Sequence, residues 1–229
     1  MSQERSLGLS SQAYGHPWVA VDLVVFTLYR KTLQCLLVQV KEGPFAGMWA
    51  FPGGLVAAGE SLDQAAQREL QERTGLRNVH LEQLYTFGKP ERDPAGRVVS
   101  VSYLALVPHR RGNLISSEKY AAVRWFPTNR IPPLAYDHTQ VARLAQDRLR
   151  SKLQYTNIVF SLLPAEFTLG ELQEIYEIIL RRPLDRRNFR KKILALGLLN
   201  PLRKLKRGAH RPASLYAFKK RRPMIVGML

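Results

Sequence analysis

The chain holds a single cysteine, Cys35, among its 229 residues. One thiol excludes an intrachain disulfide framework and fits a reducing cytoplasm. Cys35 lies inside an apolar run, so its expected role is that of a small buried hydrophobe. No run of 18 or more apolar residues occurs, which predicts no membrane-spanning helix. Met1–Gly15 is polar and has no apolar stretch, so residues 1–16 read as a flexible arm and not as a secretion leader. Internal repeats and low-complexity tracts are absent from the sequence. Acidic residues are scarce, with 18 Asp and Glu against 35 Lys and Arg, a net of +17. The scarcity is uneven: residues 151–229 hold 17 basic against 5 acidic side chains, net +12, while residues 1–150 hold 18 against 13, net +5. A surplus of this size calls for a polyanion, and nucleic acid is the usual one. Charge alone leaves open a solvated basic surface or contact with anionic lipid.

What is present divides the chain. Trp18–Tyr29 and Thr32–Val40 read as strands around an Arg30-Lys31 turn, a β-hairpin. Residues 43–47 form a loop, and Pro52-Gly53-Gly54 breaks the segment after it. Leu62–Arg73 reads as a helix, with Ser61 and Gln64 at capping-box spacing and Gly75 at the C-cap. Leu81–Gly88 and Val98–Pro108 are expected strands joined by the charged turn Glu91–Arg97, and Val123–Phe126 is a further short strand. Asp137–Leu153 is an expected helix with Val141, Leu144, Ala145 and Leu149 on its apolar side. Beyond about residue 150 the pattern turns helical and basic. Domains of 17–150 and 151–229 are expected, with the 137–153 helix as connector.

The first domain carries a spaced motif. Gly54 is followed after five residues by Glu60, and after seven more by Arg68-Glu69-Leu70-Gln71-Glu72-Arg73-Thr74-Gly75-Leu76. This resembles the Nudix signature G-x5-E-x7-R-E-U-x-E-E-x-G-U, where U is aliphatic, at eight of nine specified positions. The resemblance extends from the Trp49-to-Gly54 lead-in over roughly residues 17–150 and implies a Nudix α/β/α sandwich with a mixed sheet. Nudix enzymes cleave nucleoside diphosphates linked to another group, using Mg²⁺, which wants hard oxygen ligands. Residues i, i+3 and i+4 share a helix face, so Glu69, Glu72 and residue 73 point together. In the family all three are usually glutamates; here residue 73 is arginine. It removes a carboxylate, offers Glu69 an i,i+4 ion pair and would compete with a metal for Glu69 and Glu72. No cofactor is required on this reading, and Mg²⁺ on Glu69 and Glu72 enters only with residual hydrolysis. Gly53, Gly54, Arg68, Glu69, Glu72 and Arg73 are the expected ligand-binding set. Glu60 and Glu118 are auxiliary carboxylates, Glu118 reading more simply as a loop residue. Arg92-Asp93-Pro94 and Arg97 resemble a segment of ADP-ribose-type Nudix proteins, where arginines grip pyrophosphate; the same residues read equally well as a solvated turn.

The second domain has helix-turn-helix grammar. Thr168 and Glu171 open a helix whose Leu172, Ile175, Tyr176 and Ile179 form an apolar stripe. Asp185 then caps a second helix, Arg186–Leu196, with Phe189, Ile193 and Leu196 inward and Arg186, Arg187, Asn188, Arg190, Lys191 and Lys192 outward. Arginine and asparagine read guanine and adenine edges in the major groove. Lys204, Lys206, Arg207, His210 and Arg211, before the alternating Ala213–Phe218, read as a basic wing that contacts phosphates. A helical domain with a merely solvated basic face is the plainer alternative.

A Nudix-like domain followed by this basic winged helix resembles the Nudix-related transcriptional regulators of NAD metabolism, the NrtR family, over nearly the whole chain from residue 17. The altered box, Tyr136-Asp137-His138, Phe167–Leu180 and Leu184–Leu199 carry the likeness. It implies a cytoplasmic homodimer on palindromic double-stranded DNA, released by ADP-ribose or a related nucleotide. Two readings compete: an active Mg²⁺-dependent ADP-ribose or nucleotide-sugar pyrophosphatase with a basic accessory domain, and the same architecture sensing a sugar.

Overall fold

The computed structural model describes residues 15–75, 77, 79–108, 114, 119–207 and 212–227. The expected arm falls mostly outside these residues, as do Leu76, Glu118, His210 and Arg211.

Strands β1 (Trp18–Tyr29) and β2 (Thr32–Val40) form the expected hairpin, with register Phe26 to Cys35 and Tyr29 to Thr32. Arg30 and Lys31 make its two-residue turn with φ of 46° and 59°, the doubly left-handed geometry whose twist matches the strands it joins. β3 (Trp49–Ala50) and β4 (Gly53–Leu55) follow, then helix α1 (Leu62–Thr74), β5 (Leu81–Phe87), β6 (Val98–Leu106) and β7 (Tyr120–Pro127). The sheet runs β3-β2-β1-β6-β5, with β4 on β1 and β7 on β2. β1 and β6 are parallel and the other pairs antiparallel, so the sheet is mixed. β7 is longer than the expected Val123–Phe126, because pairing with β2 from Gln34 to Val40 extends it past its apolar residues.

Strand alternation explains the layers. In β1, Val21, Leu23 and Val25 face α1 with Ala65, Ala66 and Leu70, while Val24 and Phe26 face the other side with Cys35 and Leu37. Both faces are buried, so β1 reads as a continuous apolar run and not as alternation. Burial pushes the Cys35 thiol up to about 12, which makes it an inert core residue. Helix α2 (His138–Tyr155) covers the second face with Val141, Ala145, Leu149 and Leu153, all fully buried. Each of the valine and leucine side chains contributes about 1.5–3 kcal/mol on leaving water.

The C-terminal unit comprises β8 (Phe167–Thr168), α3 (Leu169–Leu180), α4 (Arg186–Ala195), β9 (Leu199–Lys206) and β10 (Ala213–Phe218). Its sheet order is β8-β10-β9, a winged helix. Thr168 and Glu171 complete a capping box on α3, and Asp185 accepts from the Asn188 N–H at 2.7 Å to cap α4. The expected inward residues Leu172, Ile175, Tyr176, Ile179, Phe189 and Ile193 are buried. The expected basic wing is built on β9 and β10: Lys204 and Lys206 belong to strand β9, which pairs Lys206 with Ala213 and so carries the ladder to the wing's base.

The two units share one core. The cluster on the second sheet face continues from Phe26 and Leu149 through Phe160 and Phe167 to Tyr176 and Phe189. An ion pair, Lys31 to Glu174 at 2.6 Å, joins the two units, while Lys152 of α2 pairs with Glu82 of β5 at 2.7 Å within the first unit.

Candidate functional site

The Gly53-Gly54 pair sits where β4 lies against β1, with Gly54 opposite Val21 and Gly53 opposite Asp22. A Cβ on Gly53 would run into the Val21 carbonyl and the Asp22 carboxylate, and one on Gly54 into Glu69 Oε1 and Lys119 Nζ. Glycine is therefore required for close approach of the strand to the motif helix. α1 is held at its start by the Ser61–Gln64 capping box and stopped by Gly75 at φ 66°.

The motif face is buried, with Glu69 and Arg73 exposed by only 1% and 2%. Arg73 lies 3.6 Å from Glu69 Oε2, donates to Glu72 Oε2 at 3.0 Å and covers the Tyr120 ring at 4.7 Å. Arg68 donates to Glu69 Oε1 at 2.8 Å and to both oxygens of Glu60 at 2.8 and 3.2 Å. The hydrogen bond from Arg68, helped by the Ala57 N–H, holds the Glu60 carboxyl below the usual range, and the same bond raises Arg68 further. Lys119 adds a third cation, 3.2 Å from Glu69 Oε1 and hydrogen-bonded to the Gly53 carbonyl at 2.5 Å.

This donor set does not fit the Mg²⁺ that the box pattern implies. Both oxygens of Glu69 face cations of the protein itself. Its Oε2 accepts no hydrogen bond among the described residues, and Arg73 stands 3.6 Å from it. Among the described residues no three carboxylate, histidine or cysteine side chains gather as a metal site. Magnesium is held by one or two carboxylates, with water and ligand phosphates completing its shell, and here the buried carboxylate of Glu69 is already engaged by Arg68, Arg73 and Lys119.

Beside the box opens a cavity of about 440 Å³, lined by Asp22, Phe51, Arg92, Lys119, Tyr136 and His138 among others. Gly53 and Gly54 line it as well, whereas Arg68, Glu69, Glu72 and Arg73 do not. The two turn arginines separate. Arg92, in a 3₁₀ turn over Pro90–Arg92, is buried and borders the cavity. Arg97 is turned away: its Nη1 donates to the Gly88 carbonyl at 2.9 Å, and it does not line the cavity. A loop crossing the sheet edge needs its carbonyls satisfied, and that need takes the side chain.

Arg92 grips Asp137 with two bonds, Nε to Oδ2 at 3.1 Å and Nη2 to Oδ1 at 2.9 Å, and its Nη2 reaches Asp22 Oδ2 at 3.3 Å. His138 Nδ1 accepts the Phe51 N–H at 2.9 Å, leaving Nε2 to face Asp22 at 3.4 Å. Burial pushes the Asp22 carboxyl up, but His138, the Ser100 hydroxyl at 2.5 Å and Arg92 together bring it below its ordinary value. Asp137 occupies the N-cap position of α2 yet makes no capping bond, and Tyr136 before it has φ 54°. A missing cap costs about 1 kcal/mol and a left-handed non-glycine about 1–2 kcal/mol. The junction into α2 is therefore strained, and ion pairs hold it.

Asp22, His138, Lys119 and Tyr120 were not singled out from sequence as site residues. Asp22 had a legible signal, a lone carboxylate inside the apolar run of β1. Tyr136 and His138 stood out only through resemblance. Lys119 and Tyr120 have no spacing to the box, and β7 alone brings them there.

In the winged helix, Arg186, Arg187, Asn188 and Lys191 are exposed on α4, as is Lys192. Arg190 is half-buried, its Nε shielded and without a hydrogen-bond partner. It follows Phe189 directly and leans toward the core, so it is less open than the other basic residues of α4. On the wing, Lys204 is paired to Glu166 and Lys206 to Glu171, each at 2.6 Å, while Arg207 is exposed. Both lysines remain more than half exposed, so a phosphate reaching either one competes with a carboxylate for it.

A Nudix sandwich with an altered box, joined by a common core to a basic winged helix, defines a sensor-type domain fused to a DNA-binding module. The comparisons narrow this class. The NUDIX domain model matches residues 18–146, and the model described as the NrtR DNA-binding winged helix domain matches residues 159–218. The ADPR responsive transcriptional repressor NtrR of Acinetobacter baylyi is 36% identical over 209 residues, 90% of this chain and 83% of that protein. The crystal structure of Shewanella oneidensis NrtR with a 27mer DNA superposes with a TM-score of 0.79 at 36% identity, covering 88% of this chain and 93% of that one. The Nudix domain of the same Shewanella protein, complexed with ADP ribose, matches with a TM-score of 0.56 at 36% identity over 62% of this chain and 94% of its own. The chain belongs to the NrtR family of Nudix-related transcription regulators.

Proposed function

We propose that this protein is a sequence-specific transcriptional repressor of NAD-metabolism genes. Its hold on DNA is released by ADP-ribose, or a related nucleotide, bound in the Nudix cavity. One observation carries the reading: the metal face of the box is neutralised by Arg68, Arg73 and Lys119, while a cavity large enough for a nucleotide stands open beside it. Such a site is suited to hold a ligand and poorly suited to cut one, so no metal cofactor is needed. The cavity wall offers the ring of Tyr136, 4.5 Å from Phe45, and the polar groups of Asp22, Arg92 and His138. The relatives' repressor name and their DNA and ADP-ribose complexes support the same assignment.

The protein acts as a cytoplasmic homodimer on this reading, since one recognition helix reads one half-site and two-fold symmetry presents two. Arg186, Arg187, Asn188 and Lys191 face base edges or their flanking phosphates, with Arg190 supporting from a half-buried position. Lys204, Lys206, Arg207, His210 and Arg211 meet the backbone. The ligand shifts a population and must favour one of two arrangements of the winged helices over the other.

The test is fluorescence anisotropy with a labelled duplex from upstream of the protein's own gene and its neighbours, titrated with protein and then with ADP-ribose. Saturable binding reversed by ADP-ribose is expected. Binding indifferent to ADP-ribose would discard the effector and turn the search to other nucleotides and sugars. No specific binding, together with Mg²⁺-dependent hydrolysis of ADP-ribose, would replace the repressor with a pyrophosphatase.

A further inference from the structure

The cavity and the winged helix are joined by α2, and the start of α2 is strained. Tyr136 and His138 line the cavity, while Leu149 and Leu153, toward the other end of the helix, are buried in the core that holds Phe160, Phe167 and Tyr176. A movement at the cavity end cannot be absorbed within the helix, so it reaches the DNA-binding unit. Three departures from relaxed geometry meet at the cavity end. Tyr136 is left-handed at φ 54°, Asp137 stands at the N-cap without capping, and its carboxylate is turned back onto Arg92. Strain of this kind persists only where neighbours over-determine it, and it gathers at switches.

Arg92 is the neighbour that holds it. Its guanidinium is buried, with only 3% of the side chain exposed, and borders the cavity. Nε and Nη2 are spent on Asp137 and Asp22. Nη1 makes no hydrogen bond among the described residues. An anion entering the cavity finds that nitrogen and competes with Asp137 for the rest of the fork, because phosphate oxygens accept the same paired geometry as a carboxylate.

We infer that the Arg92–Asp137 clamp is the switch between cavity and winged helix: a phosphate-bearing ligand takes Arg92, and Asp137, set free, caps α2 and lets its first turn relax. Arg92 and Asp137 are positioning residues in this device and not DNA contacts. The inference rests on the proposed function for the identity of the two ligands. Its sign follows from linkage. The clamped state is the DNA-binding state, and whatever opens the clamp weakens DNA binding and strengthens ligand binding by the same factor.

Asp137→Asn in the full chain tests this. Asparagine removes the charge that Arg92 holds but remains a good N-cap. Without any ligand the variant is expected to bind the operator duplex about ten-fold more weakly than wild type, in the usual range of such couplings. By calorimetry it is expected to bind ADP-ribose more tightly. Amide exchange over residues 138–142 is expected to slow to the level of ligand-bound wild type. Merely structural damage would lower both affinities together, and that outcome overturns the inference. So does unchanged DNA affinity in the ligand-free variant. A wild-type protein that binds the duplex but is not released by ADP-ribose would sink the effector assignment instead, leaving the ligand-free comparison to decide the clamp.

Discussion

At position 73 a guanidinium stands where the Nudix pattern has a carboxylate, and its surroundings are matched to that charge. Glu69 and Glu72 flank it and the Tyr120 ring lies under it. Arg73→Glu would place a second buried carboxylate beside Glu69, with Arg68 and Lys119 left as compensating cations. In metal-free buffer this should cost about 3 kcal/mol, the scale of breaking a buried pair. Mg²⁺ should recover much of it, because a metal that binds only the folded variant stabilises by mass action. Thermal melts with EDTA and with Mg²⁺ give both numbers, and hydrolysis of ADP-ribose should rise above wild type in the second buffer. A variant whose midpoint ignores Mg²⁺ would show that the charge at 73 is not what keeps the metal out. The motif residues were legible from spacing alone, whereas Lys119 was not, since its approach to Glu69 depends on β7 pairing with β2.

At the scale of elements, caps and periodicity decide. α4 is short and basic, and its own side chains repel one another, so the Asp185 cap and the buried Phe189 and Ile193 carry its stability. Asp185→Ala should cost about 1 kcal/mol, read from urea unfolding, and weaken operator binding through fraying of the first turn. Arg187→Glu should leave the circular dichroism spectrum and the melting midpoint unchanged while abolishing specific binding. Undiminished binding would remove α4 as the reading helix. Arg187 is the better probe than Arg190, which is half-buried and would confuse fold with contact. The wing also departs from the expectation of free lysines. Lys204 and Lys206 are engaged by Glu166 and Glu171, so replacing both should flatten the salt dependence of DNA binding by less than two free phosphate contacts would.

For the whole molecule the common core sets the behaviour. Residues of both units share one apolar cluster, and Lys31–Glu174 spans them. Tryptophan fluorescence, which reports Trp18, Trp49 and Trp125 in the sheet, and helical circular dichroism, which includes α3 and α4, should therefore follow one urea transition. Two separated transitions would mean that the units unfold independently and that α2 cannot carry a signal between them. Acid adds a second check. The Asp22 carboxyl is held below its ordinary 3.8 in the folded chain. Its contribution to stability is therefore fully present above that value and is lost as pH falls through the lower folded value. The melting midpoint should be steady between about pH 7 and 5 and drop steeply below about pH 4, and Asp22→Asn, though less stable at neutral pH, should show a shallower drop.

Local chemistry was decided along the chain itself. The hairpin at Arg30-Lys31, the capping boxes at Ser61 and Thr168, the Asp185 cap and the box from Gly54 to Gly75 depend on residues within a few turns of one another, so their spacing specifies them. The basic surplus of the last third and the apolar stripes of α2 and α3 are equally local. Only the tertiary structure decided which charges meet. Asp22, Arg92 and Asp137 come from three separate segments, and Glu69 and Arg73 of α1 meet Lys119 and Tyr120 at the start of β7. Of the two turn arginines, Arg92 turned inward to buried carboxylates and Arg97 outward to loop carbonyls. The physical reason is that a side chain's partners are set by long-range packing, and a buried charge goes where a counter-charge is already waiting, which no local pattern records.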